Sequence, residues 1–292
     1  MKVVVTGGAG FIGSAVVDGL EIRGDKVSVI DTRGPDPLDL RGEGVLESVV
    51  TGDVDVVVHL AATTSVLGSV KDPAGTFEVN VGATTALAEQ CRRVGTRRLV
   101  FASSNAVVGA GVPAGDLIDE RSPLVPLTPY GASKAAAEAV LSAYRHAYDL
   151  GTNVLRFTNV YGPGMVGAGK DGAVARLIRG ARSGDAFTVY GSGHQVRDYV
   201  YLDDVVTTIV AAVDGAVPDG VLTVGSGASV SVLELVDLVR KVTGADLPFR
   251  HLPAPAGEMA GVRVDLGRAR ACGLEPLVML AEGLRRTWEA PD

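Results

Sequence analysis

Apolar residues in this chain fall in short unbroken runs, separated by longer stretches in which they recur every three or four positions. The first run, KVVVT at Lys2–Thr6, predicts a strand; the rhythm over roughly 10–23 predicts a helix; KVSVI at Lys26–Ile30 predicts a second strand. Further strands are expected at 54–60 (VDVVVHL), 98–102 (RLVFA), 152–156 (TNVLR) and 221–224, with helices near 77–93 and 129–148. Runs without polar alternation suit strands covered on both faces, and strands that alternate with helices imply βαβ units. The expected class is α/β, with a doubly wound parallel sheet. From about Gly162 the clean alternation gives way to shorter mixed pieces broken by Gly and Pro. These predict a smaller α/β lobe at about 162–197 and 227–292, beside a larger unit made of 1–161 plus about 198–226.

Composition narrows the partners. Among 292 residues, 27 Lys and Arg are outnumbered by 34 Asp and Glu, for a net charge of -7. No broad basic face is offered to a phosphodiester backbone, so nucleic acid is not an expected partner. The strongest apolar run, VVTTIVAAV at 205–213, is too short to cross a bilayer, and MKVVVTGG lacks the basic and apolar regions of an export signal. The expectation is a soluble cytoplasmic protein without membrane contact. Two cysteines, Cys91 and Cys272, stand far apart, and four histidines are scattered. Reduced thiols and no bound metal follow.

The turn after the first strand, Gly7-Gly8-Ala9-Gly10-Phe11-Ile12-Gly13, opens the first helix with glycines at every third position. Glycines permit a tight turn and close backbone approach, and a helix N-terminus offers N–H groups to a pyrophosphate. Asp31 closes the second strand, where a carboxylate can accept both ribose hydroxyls and repel a 2′-phosphate. NAD is therefore favoured over NADP; Arg33 nearby reads as a solvated side chain.

Tyr130 and Lys134 lie four apart at the start of a helix, hence on one face. An ammonium beside a phenol favours phenolate and makes a base of it. Ser103-Ser104 closes the preceding strand, at the end of the sheet where open α/β folds bind ligands, so a hydroxyl can share a substrate alcohol with Tyr130. Capping of a turn is the other role open to one of these serines.

Taken in order, TGGAGFIGS, HLAA, FASS, YGASK, LRFTNVYGPG and RDYVYLDD resemble the extended short-chain dehydrogenase/reductase family of NAD-dependent nucleotide-sugar epimerases and dehydratases, over nearly the whole chain. The resemblance implies a Rossmann-type NAD-binding domain in the larger unit and nucleotide-sugar binding in the smaller. It implies that Tyr130 is the acid/base, that Lys134 binds the nicotinamide ribose and lowers the Tyr130 pKa, and that Ser104 bonds the reacting hydroxyl. Asp39 and Leu40 resemble the pair that contacts adenine; Ala61, Ala62 and Thr63 would line the dinucleotide; Asn80 resembles the residue that orders the site, with helix capping as its other reading. His59 reads as a buried strand residue rather than a ligand. On the substrate side Asn159 and Arg197 match positions at the diphosphate, and Tyr190 one near the base.

Relatives that eliminate water or decarboxylate carry an acid just beyond the serine, whereas this chain has Asn105-Ala106. That favours epimerisation of a UDP- or dTDP-sugar, UDP-hexose 4-epimerisation first, over a one-direction ketoreductase or dehydrogenase; a catalytically silent dinucleotide-binding protein is the reading from another class. Two departures stand out. Pro255-Ala256-Gly257-Glu258 replaces the Arg-x-Gly-Asp of relatives, leaving Arg250 or Arg263 as substitutes for the lost arginine, and Val108 replaces a tyrosine. Val262 matches the position beside the sugar. The resemblance also implies a homodimer, for which Ala136, Ala139, Val140 and Ala143 form a stripe suited to close helix packing, a stripe that an ordinary core would use as well.

Overall fold

The computed structural model describes residues 1–113, 115–166, 172–254, 259 and 261–291. Eleven strands are named among them: β1 (Lys2–Thr6), β2 (Lys26–Ile30), β3 (Val56–His59), β4 (Arg98–Ser104), β5 (Gly151–Phe157), β6 (Asn159–Tyr161), β7 (Phe187–Tyr190), β8 (Val196–Tyr201), β9 (Gly220–Val224), β10 (Ser229–Ser231) and β11 (Phe249–Leu252). The helices are α1 (Phe11–Ile22), α2 (Val45–Val49), α3 (Val66–Lys71), α4 (Pro73–Phe77), α5 (Ala83–Val94), α6 (Pro129–Tyr148), α7 (Ala173–Ser183), α8 (Leu202–Asp214), α9 (Val232–Thr243), α10 (Gly267–Ala271) and α11 (Leu280–Glu289).

Six strands form the main sheet in the order β2-β1-β3-β4-β5-β9. β1 pairs in parallel with β2 and with β3, and β3 with β4. The valine runs behave as their lack of alternation predicts: Val3 to Val5 and Val56 to Val58 are wholly buried. On one side Val4, Val57, Leu99 and Phe101 of the sheet pack with Leu87 and Cys91 of α5 and Leu141 of α6. This is the apolar floor on which the ends of β1, β3 and β4 are set.

The chain divides into two units. The first holds Met1–Gly111, Ser122–Arg156 and Val206–Leu222; the second holds Val112–Arg121, Phe157–Val205 and Thr223–Asp292. The stretch 198–226, expected with the larger unit, is thus shared: 206–222 goes there, whereas 198–205 and 223–226 belong to the second. The reason is pairing, since β8 lies between β10, antiparallel, and β6, parallel, in a separate three-stranded sheet. β7 and β11 make a parallel pair in the same unit.

Expected and observed elements agree closely in the first unit, with one exception that matters for the site. The helix expected over 77–93 is interrupted: α4 runs into a π-helical turn at Glu78–Gly82 before α5 begins. Such single wide turns insert a residue into the helix and cluster at functional sites. Among the described residues, no helix is long and apolar enough to cross a membrane.

Candidate active site

The turn between β1 and α1 is built for close approach. Gly7 has φ +73°, and a Cβ there would stand 2.7 Å from the Ala61 amide nitrogen; one on Gly13 would run into the Gly7 carbonyl oxygen. Gly10 is the N-cap of α1, and no side chain occupies the cap, so the first N–H groups of the helix, Phe11 and Ile12 among them, face no competing side-chain acceptor. Asp31 is buried and preset: one carboxylate oxygen accepts the Ala9 N–H at 3.0 Å and the other the Arg33 N–H at 2.9 Å. These features fit a dinucleotide, with a cradle that only glycine leaves open, a bare helix end for the pyrophosphate and an anchored acid for ribose. Arg33, expected to be simply solvated, instead lies 3.5 Å from Asp31 while keeping more than half of its side chain exposed, because the turn brings its guanidinium back over the strand end.

Downstream candidates take different roles. Leu40 is turned into the core beside Ile30 and Leu46, and the Asp39 carboxylate is engaged by Arg41 at 2.8 Å, which holds its pKa below the usual carboxylate range. Ala61, Ala62 and Thr63 follow β3, half-buried. Thr63 is gripped through its backbone: its N–H donates to the Asn80 amide oxygen at 2.8 Å and its carbonyl accepts from Asn80 Nδ2 at 3.0 Å. Asn80 sits in the π turn and does not cap a helix; the extra residue of that turn aims its amide inward, where Nδ2 also donates to Ser133 Oγ at 2.9 Å.

Tyr130 and Lys134 stand on the first two turns of α6, which is capped by Thr128, with Pro129 in its first turn. The Tyr130 N–H donates to Ser69 Oγ at 3.1 Å, and the Ser104 hydroxyl meets the phenol in a hydrogen bond. Tyr130 is half-buried, and burial pushes its pKa above that of an ordinary phenol despite the Ser104 bond, which acts the other way. Of these two effects desolvation is the larger. Lys134 itself is drawn down to about 7 by burial, opposed by the Glu138 carboxylate; its ammonium donates to the Ala102 carbonyl at 2.9 Å and rests over the Phe101 ring.

Both roles left open for the serines at the end of β4 fall to Ser104. Ser104 points to Tyr130 and also accepts the Ala106 N–H at 3.2 Å, capping the short 3-10 turn at Asn105–Val107. Ser103 points the other way, as strand alternation requires, and donates to Glu138 at 2.5 Å. Glu138 is held in turn by Arg156 of β5 at 2.7 Å, both side chains about 5% exposed. Sequence reasoning missed this pair. Its only local signal was an acid one helical turn beyond Lys134, and the arginine arrives from the next strand.

The second unit carries the remaining candidates. Asn159 is exposed and donates to the Asp198 carbonyl at 2.9 Å. Arg197, half-buried, donates to the Val196 carbonyl at 2.8 Å. Tyr190 packs under the Arg176 guanidinium, 5.9 Å from its ring centre. Asp198, which was not singled out, is fully buried and accepts from the Thr158 hydroxyl at 2.8 Å, the Ser226 N–H at 2.8 Å and the Ser226 hydroxyl at 2.9 Å, tying β6, β8 and the end of β9 together. Arg250 and Arg263 are exposed, and Val262 is buried beside Val196, whose carbonyl accepts its N–H at 3.0 Å. The segment 255–258 lies outside the described residues.

Residues 3–225 match the sequence profile of the NAD dependent epimerase/dehydratase family. The chain belongs to that family. It is 36% identical to a UDP-glucose 4-epimerase of Mycolicibacterium smegmatis, over 99% of this chain and 98% of the relative. Among solved structures, a UDP-glucose 4-epimerase from Thermotoga maritima with UDP-glucose is similar at a TM-score of 0.93 and 32% identity, with 99% of this chain and 98% of that one covered. One from Thermus thermophilus, in complex with NAD, is similar at a TM-score of 0.91 and 34% identity, with the same coverage. Family membership makes NAD the cofactor, and the fold is the α/β sheet that the apolar runs imply.

Proposed function

We propose that the chain is an NAD-dependent UDP-hexose 4-epimerase in which the first unit holds NAD and the second the nucleotide diphosphate. The observation that carries the reading is the Ser104–Tyr130 hydrogen bond with Lys134 one helical turn away and no carboxylate in the two residues after Ser104. This set can move one proton at one carbinol and has no second acid to expel water. Support comes from the full-length similarity to proteins named UDP-glucose 4-epimerases.

Gly7, Gly10, Phe11, Ile12 and Gly13 would hold the pyrophosphate, Asp31 the adenosine ribose, and Lys134 the nicotinamide ribose. NAD supplies a reversible hydride acceptor, so that the sugar carbon can be oxidised and then reduced. Tyr130 Oη takes the proton of the 4-hydroxyl and later returns it, with Ser104 donating to the same oxygen. Ionising a buried phenol requires a nearby positive charge, and Lys134 is placed to supply one. Glu138, fixed by Arg156 and Ser103, opposes the deprotonation that burial would otherwise impose on that lysine. Arg197 and Asn159 would bind the diphosphate and Tyr190 the base; a guanidinium fork suits phosphate oxygens.

Two copies of the chain are proposed to pair through α6, where Ala136 and Val140 are partly exposed and Ala139 and Ala143 exposed. Incubating the purified protein with UDP-galactose or UDP-glucose, without added cofactor, and following the anomeric and carbon-4 protons by NMR tests the function. Interconversion is expected. Silence, together with stoichiometric consumption of added NADH by a 4-keto sugar, would replace it with the ketoreductase reading.

A further inference from the structure

A buried chain of hydrogen bonds runs through the first unit from the cofactor turn toward Tyr130, and His59 and Thr84 within it are among the members that have no place in the chemistry described above. Thr6 ends β1, immediately before Gly7, and is in register with His59 at the end of β3. The His59 ring is 1% exposed; Nδ1 lies 2.7 Å from Thr6 Oγ1 and Nε2 lies 2.9 Å from Thr84 Oγ1. Thr84 has one hydroxyl proton and gives it to the Asn80 carbonyl at 2.7 Å. Toward His59 it must therefore accept, so Nε2 carries the hydrogen.

Burial and the Lys134 charge hold the imidazole neutral, with a pKa of about 3, which leaves Nδ1 as the acceptor of the Thr6 hydroxyl. Thr6 Oγ1 accepts in its turn from the Ala61 N–H at 3.2 Å. Every proton on this path is assigned, and all point one way: Ala61, Thr6, His59, Thr84, Asn80 carbonyl. Beyond Asn80, the side-chain amide holds both backbone groups of Thr63 and bonds Ser133 at 2.9 Å, and the Ser133 hydroxyl donates to the Tyr130 carbonyl at 2.8 Å. The path thus touches the backbone of Ala61 and Thr63, which face the dinucleotide in the reading above, and ends on the residue that moves the proton.

We propose that His59 and Thr84 are positioning residues: by completing this one-way chain they set the π turn at Asn80, and through it the placement of Tyr130 relative to Ser104 and the dinucleotide-lining backbone. The inference rests on the epimerase reading for its kinetic consequence and on hydrogen bonding alone for its structural one. A threonine whose hydroxyl only filled space would be replaceable by valine; here valine leaves the buried Nε2–H of His59 without an acceptor and frees the Asn80 carbonyl.

The test compares Thr84→Val with Thr84→Ser. The valine variant is expected to lose tenfold or more in kcat, with KM for the UDP-sugar changed less than threefold and co-purified NAD at the wild-type ratio. Serine, which restores the hydroxyl, is expected to recover kcat to within threefold. Amide exchange of the segments 78–84 and 128–134 is expected to quicken in the valine variant and not in the serine variant. Wild-type kcat per NAD-loaded site in Thr84→Val, or equal losses in both variants, would overturn the proposal. Nitrogen-15 NMR of the wild-type imidazole needs no variant: a neutral ring with hydrogen on Nε2 is expected at pH 7, and hydrogen on Nδ1 or a charged ring would refute the chain. Should the wild-type protein fail to interconvert UDP-sugars, the epimerase reading falls, while the exchange and imidazole measurements still decide the positioning claim.

Discussion

The candidate residues of the first unit and those of the second are held in different ways. Tyr130, Ser104 and Lys134 are each fixed by hydrogen bonds to neighbours in the same unit, and Asn80, Glu138 and Arg156 behind them are almost without exposure. Asn159 and Arg197, by contrast, have open surface and are anchored to backbone carbonyls of β8, with the rigidity supplied by Asp198 beneath. The difference follows the work each set is proposed to do. A proton transfer demands tight placement, which buried partners enforce, whereas holding a diphosphate calls for charged and amide donors that reach the surface.

The sharpest way to break this comparison is Tyr130→Phe. It keeps the ring and removes the hydroxyl proposed to move the proton, so turnover is expected to fall by roughly 10²–10⁴-fold. Its NAD content should stay at the wild-type level, as measured by cofactor release on denaturation. Retained turnover would remove Tyr130 from the chemistry.

Arg197→Ala addresses the open side. Losing a charged donor at the diphosphate is expected to raise KM for the UDP-sugar roughly ten- to a hundredfold, from about 1.5–3 kcal/mol of binding, while kcat changes little. A collapse of kcat with unchanged KM would show instead that this residue serves the first set.

A pH series sharpens the buried side. His59 stays neutral in the fold down to about 3, whereas an unfolded histidine takes its proton near 6.5. Between those values the unfolded chain binds more protons, so stability is complete above pH 6.5 and is lost as the pH falls, by ~1.4 kcal/mol per unit from this residue. Urea unfolding of His59→Gln is expected to show that slope reduced by about one proton. The smallest effect on turnover is expected from Ala143→Arg, which places a charge on the exposed stripe of α6; light scattering should report a shift from dimer to monomer with catalysis per site nearly intact.

Much of this was legible without coordinates, and the reasons can be named. Lys2–Thr6, Lys26–Ile30 and the helix at Pro129–Tyr148 were read with their observed bounds, because valine runs and a capping Thr-Pro are local signals. The trio proposed to be catalytic and the glycine turn could be singled out because they lie in short contiguous motifs. The break in the helix at Asn80 was not, since a π turn leaves the apolar rhythm of 77–93 intact and differs only in which residue faces inward. The sense of the Tyr130 pKa was not either: proximity to a lysine can be counted along a helix, while the depth of a hydroxyl cannot.

Spacing and residue type alone establish the α/β class and single out the glycine turn and the Tyr130–Lys134 pair proposed for NAD and for acid/base work, because those depend on groups a few residues apart. What joins Ser103 to Glu138 and Arg156, or Thr6 to His59, Thr84 and Asn80, depends on which strands lie side by side and which helix crosses them. Buried polar groups must find partners wherever the fold puts them, and for residues far apart in sequence only the closed packing of sheet and helices makes that choice.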